Sequence, residues 1–124
     1  MNERRFDSRF LCAELVQLDW RIGYGLDGKE EFRTVEAVLE DISPLGACVQ
    51  VEETLPTGAA VTICAEGKRF FGEVSYCVYR DYGFFAGIRF SEDNRWSSGV
   101  FAPQHMTDLR ALAGALGPDE ESIH

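Results

Sequence analysis

The sequence has 124 residues, of which 45% are hydrophobic and 27% charged, with a formal net charge of -9 at pH 7. This length accommodates one compact domain with a single core, and the composition excludes a disordered or fibrous chain. The acidic balance works against binding to nucleic acid polymers or anionic lipid, both of which need a broad basic surface. A small anion is still compatible with the sequence, because a local group of arginines can dominate the field at short range.

The sequence contains neither a membrane span nor an export signal. No apolar run approaches the roughly 20 residues that cross a bilayer, and residues 1–5 are followed by no apolar signal-peptide core. We therefore expect a cytoplasmic protein without membrane insertion. The cysteines form no C-x-x-C pair and are expected to be reduced core thiols, so no metal or cofactor is predicted; they are Cys12, Cys48, Cys64 and Cys77.

The first part of the chain combines a polar arm with a long strand. Residues 1–9 lack hydrophobic periodicity, so we expect a flexible arm. From Phe10 to Tyr24 the apolar residues alternate with one change of phase between Leu15 and Val16, which predicts a strand that carries a β-bulge. The Asp27-Gly28 pair tolerates positive φ and predicts a hairpin turn.

Alternating apolar and polar residues predict five further strands, over Val35–Asp41, Leu45–Glu52, Val61–Ala65, Phe70 to the turn that begins at Arg80, and Phe84–Phe90. One face of the fifth strand in the chain is expected to carry Phe70, Gly72, Val74, Tyr76 and Val78. Closing six antiparallel strands into a small barrel removes exposed edges, so the sequence predicts an all-β barrel over residues 10–90.

After the barrel the pattern changes. Residues 91–124 begin with an irregular connection, and Thr107 is expected to cap a short α-helix that continues to Leu116. Gly117-Pro118 would end this helix before a frayed tail.

Two short motifs lie at the borders of the predicted strands. Arg5-x-x-x-Arg9, preceded by Arg4, lies in the arm, and Asp41-x-Ser43-x-x-Gly46 joins the second strand to the third. Each motif alone has an ordinary explanation, since arginines suit a solvated N-terminus and Asp and Ser favour turns. The ordinary explanations do not account for the occurrence of both motifs in one chain.

Taken in order, the two motifs and the later glycines Gly72 and Gly87 resemble the PilZ domain family, from residue 4 to about residue 90. The resemblance implies a small bacterial β-barrel that acts as a receptor for cyclic di-GMP. It also implies a set of ligand-binding residues, which are Arg4, Arg5, Arg9, Asp41, Ser43 and Gly46.

By this resemblance, Arg5 and Arg9 bind the phosphates and the outer guanine edges, with Arg4 as a further contact. A guanidinium pairs bidentately with phosphate or with guanine O6 and N7, and it stacks on a base, which lysine cannot do. The arm would become ordered over the ligand, and this change of shape would signal to a downstream protein partner.

The turn motif has a complementary role in the same resemblance. The carboxylate of Asp41 accepts hydrogen bonds from the N–H groups of the guanine Watson–Crick edge, which adenine does not offer in that pattern. Ser43 contributes a hydroxyl, and Gly46 lets the backbone approach a base without an intervening Cβ.

Two other functions are alternatives to a cyclic di-GMP receptor. A PilZ-like adaptor would bind no ligand and act only through protein–protein contacts, and an OB-type nucleic-acid binder would use its aromatic side chains for stacking. The net charge disfavours the second. No Gly-rich phosphate loop, serine elbow or paired-carboxylate pattern is present, so an enzyme is not predicted.

Overall fold

A computed structural model describes residues 9–91, 96–97, 99–103 and 106–108, and these residues contain seven β-strands and no helix. The strands are β1 (Phe10–Tyr24), β2 (Glu30–Ser43), β3 (Gly46–Val51), β4 (Ala60–Ala65), β5 (Lys68–Arg80), β6 (Gly83–Phe90) and β7 (Thr107–Asp108). No helix among the described residues is long and apolar enough to cross a membrane.

Six strands close into an antiparallel barrel. The hydrogen-bonded order is β2-β3-β6-β5-β4-β1, and β1 also pairs with β2, which closes the sheet on itself. The predicted all-β, six-stranded antiparallel barrel is therefore confirmed. The short strand β7 pairs with β1 at Phe10 and Leu11.

Two predicted segments fall largely outside the described residues. These are residues 1–8 of the arm and the greater part of the C-terminal helix, residues 109–116. Thr107, which was expected to cap that helix, lies instead in β7.

The barrel interior is filled by side chains that alternate along the strands, as half-buried strands require. Its most deeply buried members are large aliphatic residues that β1 to β5 and the loop after β3 contribute: Leu18, Leu39, Ile42, Val49, Leu55, Ile63 and Val74. Trp96 and Phe101, from the connection after β6, join the same core. The hydrophobic effect therefore holds this connection against the barrel.

The predicted bulge in β1 exists, but it lies nearer the start of the strand. The register against β2 shifts between Leu11 and Glu14, not between Leu15 and Val16. Cys12 consequently points into the core, whereas Leu15 is 65% exposed. Apolar residues occur on both faces of the strand around the bulge, so the alternation in the sequence does not show at which residue the two faces exchange.

A second bulge, in β5, overturns part of the predicted face of that strand. The register against β6 shifts between Val74 and Tyr76, so Ser75 is an extra residue. Beyond it Cys77 packs against the core, while Tyr76 and Val78 are exposed. The expectation that Tyr76 and Val78 share a face with Phe70 was wrong, because one inserted residue exchanges the two faces of a strand.

Truncation of a central core side chain tests this packing. We expect Leu39→Ala to lower the free energy of unfolding by about 2–5 kcal/mol, since it removes buried methyl groups and leaves a cavity. The matched control is Leu26→Ala at the fully exposed β1–β2 turn, which should change stability by less than about 0.5 kcal/mol. Urea denaturation followed by circular dichroism measures both, and equal losses would contradict the assigned core.

Candidate functional site

The turn between β2 and β3 is a two-residue hairpin that its own side chains stabilise. Ser43 and Gly46 are cross-strand partners, with Pro44 and Leu45 between them. The backbone N–H of Leu45 donates to Ser43 Oγ at 3.2 Å, and the Ser43 hydroxyl donates to the carbonyl of Gly46 at 3.3 Å. Ser43 is buried, and its hydroxyl is used by these two hydrogen bonds within the turn.

Gly46 is required by the contact between β3 and β6. A Cβ at this position would collide with the backbone carbonyl oxygen of Ile88 on the neighbouring strand. Backbone cannot rotate away as the end of a side chain can, so any larger residue would force the two strands apart. The glycine of the second motif therefore has a structural reason that does not involve a ligand.

Four residues form a row across the outer face of the sheet. Asp41 on β2 pairs with Cys48 on β3, Cys48 pairs with Gly87 on β6, and Gly87 pairs with Tyr76 on β5. We call these four residues the cross-strand row. Asp41 and Tyr76, at the two ends of the row, each follow an irregularity in strand register, at Glu40 in β2 and at Ser75 in β5. Bulges of this kind change the direction in which the following side chains point.

The ring of Tyr76 lies across the backbone of Gly87. A Cβ on Gly87 would fall on this ring, 2.7 Å from both Cδ2 and Cζ. The Tyr76 hydroxyl reaches over Gly87 and donates a weak hydrogen bond to Cys48 Sγ at 4.0 Å. Ser75, the bulged residue, donates to the carbonyl of Gly87 at 3.0 Å, which fixes the backbone on which the ring rests.

The cross-strand row lies in an open groove of about 960 Å³ on the outside of the barrel. The turn residues Ser43 and Gly46 line the same groove, as does Arg9, the last residue before β1. Arg9 Nη1 lies 3.7 Å from Asp41 Oδ2, with side-chain exposures of 41% and 15%. The structure thus brings together one arginine of the first motif and all three defined residues of the second.

Burial controls the electrostatics of Asp41. Its pKa is raised by burial, against the opposing effects of Arg9 and of a backbone hydrogen bond from Cys48. Burial, with the charge of Asp41, also raises the pKa of Cys48 to about 11, so this thiol is neutral at physiological pH. The pKa of Tyr76 is raised mainly by burial, so its hydroxyl stays a hydrogen-bond donor.

Arg9 keeps unused hydrogen-bonding capacity. Its Nε is buried and has no hydrogen-bond partner among the described residues. A buried donor without a partner is costly, and an acceptor placed beside it recovers that cost.

Two further arginines line the groove. Arg89 on β6 contacts Glu73 on β5 in a close ion pair, and Arg21 Nη1 lies 3.5 Å from Glu30 Oε2. Each groove arginine is therefore paired with a carboxylate. A guanidinium group can also donate two parallel hydrogen bonds to phosphate oxygens, as it can to a carboxylate.

Arg4 and Arg5 lie outside the described residues, so the first motif is represented here only by Arg9. The sequence did not identify three residues that line the groove: Tyr76, Gly87, over which the ring of Tyr76 lies, and Arg89. The only signal for Tyr76 was Ser75, a polar residue within an apolar run, which does not by itself indicate a bulge.

Comparison with known proteins adds no family assignment. No protein-family model matches the chain, and a search of the curated proteins finds no match.

The substitution Gly46→Ala, which adds one methyl group, tests the structural role of Gly46. Gly46→Ala should destabilise the protein by about 1–3 kcal/mol, because the new Cβ meets backbone and not a movable side chain. Gly99→Ala is the control, since among the described residues a Cβ there would meet only Ser97 Oγ within 4 Å, at 3.8 Å. Thermal and urea unfolding measure both variants, and a neutral effect of Gly46→Ala would show that β3 and β6 separate without cost.

Because the Asp41 carboxylate is buried, we expect its replacement by a neutral side chain to stabilise the protein at neutral pH but not at low pH. Its pKa is higher in the folded chain than in the unfolded one, so its contribution to stability is present at low pH and is lost as the pH rises through the folded pKa. Asp41→Asn should therefore raise the urea midpoint at about pH 7 and lose this advantage near about pH 3, where aspartate is protonated in both states.

The control is Asp27→Asn in the exposed β1–β2 turn, where the backbone N–H of Lys29 donates to the side chain at 3.0 Å. An asparagine keeps this acceptor, so the substitution should leave the urea midpoint at neutral pH close to that of the wild type. A loss of stability in Asp41→Asn at neutral pH would mean that the ion pair with Arg9 outweighs the cost of burial.

Proposed function

We propose that this protein is a PilZ-like, non-catalytic receptor for cyclic di-GMP in the bacterial cytoplasm and passes the signal to a protein partner. The observation that carries the proposal is the position of Arg9 beside Asp41. These residues belong to motifs 31 residues apart in the chain, by the count of residues 10–40 between them. They lie 3.7 Å from each other in one groove beside the β2–β3 turn.

The dimensions of the groove support a nucleotide-sized ligand. Small-molecule sites commonly have volumes of about 300–1,000 Å³ and a few polar groups that fix orientation. The groove has about 960 Å³, and its lining includes the Arg9–Asp41 pair and Arg89, which lies on β6 opposite Gly46. This arrangement fits a ligand with two or more phosphate or base contacts better than it fits a single ion.

Asp41 supplies the guanine selectivity of the proposed site. The carboxylate is only 15% exposed, so little water competes for it. A guanine offers two neighbouring N–H donors on its Watson–Crick edge, and they would stabilise the ionised carboxylate that burial disfavours. Adenine presents an acceptor at one of these points and would leave the carboxylate partly unpaired.

The arginines supply the anion-binding part. Arg9 has a side chain that is 41% exposed, and its Nη1 lies beside Asp41 in the groove. We propose that Arg4 and Arg5 join it, so that ligand binding orders the arm over the groove and creates the surface that the partner recognises. The ordering cost places the expected affinity in the micromolar range or tighter.

Isothermal titration calorimetry with cyclic di-GMP tests the proposal. The wild-type chain should bind, and Arg9→Ala should weaken binding by at least about tenfold through loss of a charge-assisted contact. Arg33→Ala is the matched control, because Arg33 pairs with Glu53 at 2.7 Å and does not line the groove. It should bind as the wild type does.

Asp41→Asn separates binding from folding. This variant is expected to be at least as stable as the wild type at neutral pH and yet to lose preference for cyclic di-GMP over cyclic di-AMP. Absence of heat from the wild type at high ligand concentration would overturn the receptor function. It would favour instead the ligand-free adaptor, for which the exposed Tyr79 and Tyr82 at the β5–β6 turn provide an apolar surface.

A further inference from the structure

We infer that Tyr76 is the surface on which a purine base of the ligand stacks. This inference rests on the proposed function and adds to the site a residue that belongs to neither sequence motif. Three observations support it. The Tyr76 side chain points into the groove, its ring lies over Gly87, and it shares the cross-strand row with Asp41.

The direction of the side chain comes from the bulge at Ser75. Without the inserted residue, Tyr76 would share the inner face of Val74 and join the core. With it, the ring lies in the groove and is 46% exposed, although a tyrosine side chain gains free energy from burial. The fold thus holds a large aromatic surface open to solvent at one point of the groove.

Gly87 determines how the ring lies. Because Gly87 has no side chain, the ring covers the backbone of β6 and its hydroxyl reaches Cys48 Sγ at 4.0 Å. The ring is therefore supported from below by the sheet and held at its far end. A supported ring loses little conformational entropy when a base stacks on it, which makes it a suitable platform.

The cross-strand row places this platform and Asp41 on the same line across the sheet. The two groups read different features of a base. A carboxylate reads the hydrogen-bonding edge and distinguishes guanine from adenine, whereas an aromatic ring contacts the face, which every purine has. Loss of Tyr76 should therefore weaken binding of guanine and adenine dinucleotides alike, while loss of Asp41 should change the preference between them.

Calorimetry with cyclic di-GMP and cyclic di-AMP on a set of variants tests the inference. Tyr76→Phe keeps the ring but removes the hydroxyl that reaches Cys48 Sγ, so it should bind more tightly than Tyr76→Leu. Tyr76→Leu removes the ring and should weaken binding of cyclic di-GMP by about tenfold or more, since stacking is lost. Tyr79→Leu is the matched control, because Tyr79 is exposed on the same strand but packs on Phe84 outside the groove.

Gly87→Ala provides a test that leaves the ring in the protein. The new methyl group would displace the ring of Tyr76, so binding should weaken although Tyr76, Arg9 and Asp41 are all present. In the double variant Tyr76→Leu/Gly87→Ala the second substitution should add nothing, because its effect acts through the ring. Urea denaturation of each variant shows whether the protein remains folded at the assay temperature.

The outcomes separate this inference from the proposed function. If the wild type binds and Arg9→Ala does not, but Tyr76→Leu binds as tightly as the wild type, the stacking role is wrong and the receptor function stands. Additive losses from Tyr76→Leu and Gly87→Ala would also overturn it. If the wild type gives no heat with cyclic di-GMP, the proposed function fails, and this inference fails with it.

Discussion

The groove depends on two inserted residues. In a regular strand Asp41 would follow Leu39 onto the inner face, and Tyr76 would follow Val74. The register irregularities at Glu40 and Ser75 turn both side chains to the outside, where the strand pairings place them at opposite ends of one cross-strand row. Two local departures from regular pairing thus convert core positions into groove positions, while the alternation of the remaining residues preserves the barrel.

Glycine has the opposite role at the same site, since it allows neighbouring groups to approach. Gly46 and Gly72 make room for the backbone of β6, and Gly87 makes room for the ring of Tyr76. For Gly46 the requirement of the fold is sufficient to explain the residue. A glycine in the motif is therefore weak evidence of a ligand, and the proposed function depends instead on the charged pair of Arg9 and Asp41.

The sequence was most informative where periodicity alone decides the structure. The six barrel strands and the hairpin at Asp27-Gly28 follow from alternation and turn chemistry and are present, although β2 begins at Glu30 and not at Val35. The position of the β1 bulge and the direction of Tyr76 do not follow, because apolar residues occupy both faces of the strand around each bulge and the pattern is locally compatible with either phase. The meeting of Arg9 with Asp41 is a long-range contact, and no local pattern specifies its distance.

The charges of the groove are compatible with the proposed anionic ligand even though the protein as a whole is acidic. Arg9, Arg21 and Arg89 each contact a carboxylate, so the groove is internally neutralised when no ligand is bound. A simple phosphate could attract Arg9, but it would leave Asp41 half-desolvated and without a cation, which is unfavourable. A neutral base could satisfy Asp41 but would give Arg9 no counter-charge. A ligand that brings both an anion and N–H donors would offer a partner to each half of the pair, and the proposed cyclic di-GMP ligand has both kinds of group.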